Sequence, residues 1–165
     1  MGRMIRSCVL IALLPSVLLA QRDSIHLACP LNEATVVLPP KNQIHYDETD
    51  YCLILASQDT TVKAVTNGKV TNVVTNDEDG KWEIVFCAKL NNKEYYFWYS
   101  GIKKAIVKRN DVIKEGQAIG YIQAGEKMEL LMYDFETPVD PSKYLDCKFL
   151  KDKVSVERVV VKTLL

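Results

Sequence analysis

Few side chains in this 165-residue chain are of the kinds that do chemistry, and they are scattered. The two histidines, His26 and His45, both stand in the first third. His45 is followed by Asp47, Glu48 and Asp50, donor types that draw a metal, although a charged surface loop has the same composition. Glu129 and Asp134 add carboxylates to an apolar run, but strand alternation puts them on opposite faces. A site built from His45, Asp47, Glu129 and Asp134 is therefore disfavoured. The acidic run Asn76-Asp77-Glu78-Asp79-Gly80 lacks the ligand spacing of a dedicated calcium loop and reads as a solvated turn. Ser57 and Ser100 lack a nucleophile elbow or a histidine partner. The cysteines include no C-x-x-C pair, which argues against a zinc knuckle.

The elements that would position these groups belong to a single domain by size. Twenty-one basic and twenty-one acidic residues cancel, so there is no electrostatic footprint for nucleic acid. Residues 1–20 read as a signal peptide: Arg3 and Arg6 form a basic start, and Val9–Ala20 is apolar and short for a membrane span. Its removal leaves 145 residues of formal charge −2, with no integral membrane span expected. Cys8 leaves with it. Cys29, Cys52, Cys87 and Cys147 remain, and their spacing does not choose among three pairings. Export favours one disulfide.

Residues 21–48 form a polar N-terminal arm interrupted by Pro30, Pro39 and Pro40, with one short strand at Ala34–Leu38. From residue 49 to residue 147 the chain reads as β. Strands are predicted at Tyr51–Ala56, Thr61–Val65, Lys69–Thr75, Lys81–Leu90, Glu94–Tyr99, Ala105–Lys108, Ala118–Ile122 and Met128–Phe135. Asn67-Gly68 is a tight-turn signal, and Asn91-Asn92 closes a second hairpin. The aromatics from Trp82 to Tyr99 suit cross-strand packing, with one or two free for a sugar- or peptide-binding platform. Residues 148–165 are a tail with a possible edge strand. The fold class is all-β.

Four patterns occur in order: Val62-Lys63-Ala64 with Asn67-Gly68-Lys69-Val70; Val107-Lys108 with Asp111-Val112, Gly116-Gln117 and Ile119-Gly120; Met128–Phe135; and Val139-Asp140-Pro141 with Tyr144-Leu145. This set resembles the LytM, or lysostaphin-type, zinc endopeptidases that cut peptidoglycan cross-links. The resemblance implies a twisted antiparallel sheet groove, barrel-sandwich-like, with zinc on its floor. It also implies two histidines and an aspartate on the metal and a further histidine beside the attacking water. Counted from the quoted motifs, the first histidine and the aspartate fall on Thr49 and Leu53. The auxiliary histidine, two residues after Tyr99, falls on Gly101, and the final His-x-His falls on Leu130 and Met132. None of these is a hydrolytic zinc ligand.

The expectation is therefore a degenerate member with no catalytic residue, metal or cofactor, exported to the periplasm or cell surface. It would bind peptidoglycan stem peptides or an envelope protein. Three other readings compete. One is an active metalloendopeptidase with a non-standard site. A second is a biotinyl or lipoyl carrier, since Glu126-Lys127-Met128-Glu129 resembles a carrier's lysine turn. The third is a purely structural envelope module.

Overall fold

The computed structural model describes residues 24–37 and 51–150. The proposed signal segment, His45, Asp47, Thr49 and the tail beyond residue 150 lie outside the described residues. The elements are β1 (Thr35–Val36), β2 (Leu53–Ala56), β3 (Thr61–Lys63), β4 (Gly68–Thr75), β5 (Trp82–Leu90) and β6 (Lys93–Ile102). They continue as β7 (Lys104–Ala105), β8 (Val112–Ile113), β9 (Ala118–Tyr121), β10 (Lys127–Asp134), β11 (Thr137–Val139) and a 3-10 turn at Pro141–Lys143.

Two antiparallel sheets result. The larger runs β1-β2-β10-β6-β5-β4-β8, with β11 also paired to β10, and the smaller runs β3-β9-β7. The β5–β6 hairpin closes where the sequence places it. Asn91 and Asn92 have φ of +48° and +64°, the paired left-handed backbone that a two-residue hairpin turn demands and asparagine tolerates.

Asn67-Gly68 behaves differently from its sequence signal. It does not close a hairpin: β3 pairs with β9 in the small sheet, while β4 pairs with β5 and β8 in the large one. The chain crosses between layers here, and Asn67 Oδ1 accepts the Glu115 backbone N–H at 3.0 Å. Gly68 is required by closeness rather than by an unusual φ, since a Cβ there would lie 2.6 Å from the Cys87 carbonyl oxygen.

Alternation fills the space between the layers. Ile84, Phe86 and Ala88 of β5, Tyr95, Phe97 and Tyr99 of β6, and Met128, Leu130 and Met132 of β10 are all buried. Phe86 stacks on Phe97 and Tyr99, with ring centroids 5.0 and 5.8 Å apart. Tyr99 is fully buried, and its hydroxyl ties the two sheets together. It accepts the Val65 N–H at 3.1 Å and donates to the Lys63 carbonyl at 3.3 Å. Burial drives its phenol pKa far above the ordinary value, so the group stays a neutral donor.

The described part of the N-terminal arm lies on this body as a strap. Leu27, Leu31 and Ala34 are buried, β1 pairs with β2, and Leu27 bridges to Leu145. A Cys29–Cys147 disulfide fastens it across 118 residues of sequence, leaving Cys52 and Cys87 as half-buried thiols. Asp59 secures the strap's other end. It accepts Asn32 Nδ2 at 2.7 Å and the Thr61 N–H at 3.0 Å, while Lys63 Nζ donates to Asn32 Oδ1. The Thr61 N–H, with help from Asn32 and Lys63 and against partial burial, holds the Asp59 carboxyl below its ordinary pKa.

Candidate functional site

Side chains that alternate away from the core line an open face of the large sheet. At one end of that face lies a polar cavity of about 340 Å³, lined by Ser100 and Gly101 from β6, Lys127 and Glu129 from β10, Lys81 and Glu83 at the start of β5, and Asn76 and Asp79 from the preceding loop. The register explains the convergence. Glu129 stands opposite Ser100 on one side and Ile54 on the other, and Ser100 Oγ donates to Glu129 Oε2 at 3.1 Å. Lys81 pairs with Glu126 at 3.0 Å, and Trp98 Nε1 donates to Glu83 Oε2 at 3.1 Å. The loop is preset by Asn76 and Asp79, whose side chains accept the Glu78 and Lys81 backbone N–H groups at 2.9 Å each.

The positions singled out from sequence divide between the two faces. Gly101 lines the cavity. Leu53, Leu130 and Met132 do not: they are 7%, 0% and 1% exposed and point into the inter-sheet core. Leu53 is the cross-strand neighbour of Leu130, which faces Tyr99 on its other side, and Met132 lies between Phe97 and Val139. These three are core residues, as their apolar character suggests. The cavity is lined instead by Glu129, one step along β10 from Leu130. Thr49 lies outside the described residues.

Among the described residues, the members of the rival constellations do not come together. Glu129 is engaged with Ser100, whereas Asp134 pairs with Lys93 at 2.8 Å near the far end of β10. His45 and Asp47 fall outside the described residues, and His26 is exposed beside Ser24. Lys127 is not at a hairpin tip as a carrier lysine must be; it is paired with Ala56 inside the sheet. Ser57 donates to the Asn32 carbonyl and accepts the Asp59 N–H, a structural role. The signal missed in sequence was Lys127 with Glu129, a polar pair at alternate positions of a strand otherwise read as apolar.

The donor chemistry decides whether zinc suits this cavity. Two ammonium groups, a hydroxyl, a glycine and dispersed carboxylates surround it, and among the described residues no three His, Cys, Asp or Glu side chains converge. Ammonium groups offer no lone pair and repel a cation, so this donor set does not fit a tetrahedral zinc site.

Comparison with known proteins supports the fold. The pattern of peptidase family M23 matches residues 52–141. The solution structure of lysostaphin, an antimicrobial peptidase from Staphylococcus simulans, superposes with a TM-score of 0.54 at 22% identity; the match covers 74% of this chain and 52% of that one. This chain thus spans about half the length of lysostaphin. A chain of the SpoIIQ–SpoIIIAH pore-forming complex gives a TM-score of 0.56 at 14% identity, covering 74% and 92%. A mutant catalytic domain of the prophage-encoded M23 protein EnpA from Enterococcus faecalis gives 0.52 at 17%, covering 73% and 96%. No curated protein sequence matches.

Proposed function

This chain belongs to peptidase family M23, and from that premise we propose that it is an exported, non-catalytic member that binds cell-envelope components through the polar groove, peptidoglycan stem peptides first. One observation carries the reading. The family chemistry described above calls for three histidines, the chain has two, and the groove holds Lys127, Glu129, Ser100 and Gly101. A groove with both ammonium and carboxylate groups suits a short peptide that itself carries both, because each charge meets an opposite one at short range.

Binding of a fluorescent stem tetrapeptide to the purified protein tests this. Lys127→Glu should weaken binding about threefold to fivefold, the range for an exposed charge, without altering the melting temperature. Chelator-sensitive hydrolysis of cross-linked sacculi by the purified protein would overturn the proposal.

A protein partner in the envelope is the second reading. The likeness to a chain of the SpoIIQ–SpoIIIAH complex, which covers 92% of that chain, supports it. Among the described residues no helix is long and apolar enough to cross a membrane.

A further inference from the structure

Strand β4 is covered along only part of its outer edge. Gly68 and Lys69 face Ile113 and Val112 of β8, and Val70 donates to the Asp111 carbonyl at 2.9 Å and accepts the Asn110 N–H at 2.8 Å. Beyond Val70, among the described residues, no strand pairs with that edge. The uncovered residues 71–75, Thr-Asn-Val-Val-Thr, are β-branched at four of five positions and include no charge and no proline. Soluble proteins blunt a free edge with charged residues, proline or bulges. Here a bulge between Val70 and Asn72 sits at the β8 end, and past it the pairing with β5 is regular.

The register tells which backbone groups face outward. The Asn76 N–H bonds inward to the Lys81 carbonyl at 2.7 Å. By the alternation of an antiparallel ladder, Val74 also bonds inward, and the N–H and C=O groups of Val73 and Thr75 point away from β5. Val74 stands opposite Glu83, so its side chain, 40% exposed, lies on the open face of the sheet.

We infer that this edge pairs with the same edge of a second copy of the chain, antiparallel about a two-fold axis through Val74. Val73 of each copy then stands opposite Thr75 of the other, and their outward groups bond across the axis. The two Val74 side chains meet at the axis, where facing Cα atoms lie about 4.5 Å apart. Charge complementarity selects a second copy as the occupant. In this register Asn76 lies opposite Asn72 of the other copy and Asp77 opposite Thr71, so the turn with exposed Asp77 and Glu78 arrives at the turn that closes the edge. That turn exposes Lys108 and Arg109. Its carboxylate, Asp111, already accepts the Lys108 N–H at 2.9 Å. The two-fold repeats this acid–base meeting. Because the axis is perpendicular to the sheet, both open faces look the same way. The inference does not rest on what the groove binds.

Sedimentation velocity of the purified protein provides the test. Between about 10 µM and 1 mM, the range in which a small interface becomes populated, it should shift reversibly from monomer to dimer. Val74→Lys places two ammonium groups at the axis, and Thr75→Pro removes an N–H that only the second copy uses. Each should leave the melting temperature close to wild type and weaken the dimer about tenfold or more. Lys108→Glu with Arg109→Glu should weaken it as well, and adding Asp77→Lys with Glu78→Lys should restore it. A protein that stays monomeric at about 1 mM overturns the inference, including one whose edge is taken by another segment of its own chain. So does a dimer that persists in both folded edge variants, or one indifferent to the charge reversal.

Discussion

Opening the Cys29–Cys147 disulfide should remove a large share of the protein's stability. The bridge closes a loop of 118 residues, so nearly the whole described chain lies between its ends. In the chain-entropy treatment a loop of this length restricts the unfolded ensemble by about 5 kcal/mol at 25 °C. A domain of this size is typically stable by about 5–15 kcal/mol, so the bridge ranges from a third of the total to all of it. The native side adds a local effect. Leu27, Leu31 and Ala34 are held on the core by the strap that the bridge fastens. Urea unfolding followed by tryptophan fluorescence, with and without reductant, measures the change. With a slope of about 2 kcal/mol/M, the midpoint should fall by about 2–3 M, and the slope should steepen because the reduced unfolded chain expands. The double substitution Cys29→Ser with Cys147→Ser should reproduce the reduced protein, whereas Cys52→Ser should leave the midpoint of the oxidised protein nearly unchanged. A reduced midpoint within about 0.3 M of the oxidised one would refute the reasoning.

Three further outcomes are expected. Tyr99→Phe leaves the buried Val65 N–H without its acceptor and should cost about 1–3 kcal/mol, read from the urea midpoint. Leu130→His places an imidazole in the apolar core and should cost about 2–5 kcal/mol, whereas Glu129→His on the open face should leave the melting temperature close to wild type; equal loss for both would show that the faces have been misassigned. The Asp59 carboxyl is held below its ordinary pKa, so its contribution is present above the unfolded value near about 4 and is lost as pH falls through the lower folded value. Asp59→Asn should therefore be less stable than wild type at neutral pH, with the two midpoints converging in acid; a constant gap down to about pH 2 would contradict this.

Most strands were legible because one face of each had to be apolar. Ile84, Phe86 and Ala88, then Tyr95, Phe97 and Tyr99, alternate without interruption, and the observed strands follow them. The phase of β10 was legible at Leu130 and Met132, which read as core, but only weakly marked by alternation. Met128, Leu130 and Met132 share the buried face, while Leu131 and Tyr133 leave the other face partly apolar, so alternation alone marks it less sharply than in β5 and β6. Strand β11 was missed because Pro138 reads as a breaker, yet it tolerates the short pairing with β10 at Tyr133. The Asn67-Gly68 dipeptide signalled a turn correctly but not its partner, since sheet membership depends on contacts distant in sequence. The cysteine pairing likewise follows from where the two chain ends meet, which no local pattern encodes.

Gly101 also sets a steric limit on the site. Its φ is +77°, and a side chain there would begin 2.7 Å from the Lys127 carbonyl oxygen. A histidine there would be strained in its backbone and would require the β6–β10 backbone to shift. The close β6–β10 approach at Gly101 thus opposes on steric grounds any side chain at the place where the family pattern has its auxiliary histidine.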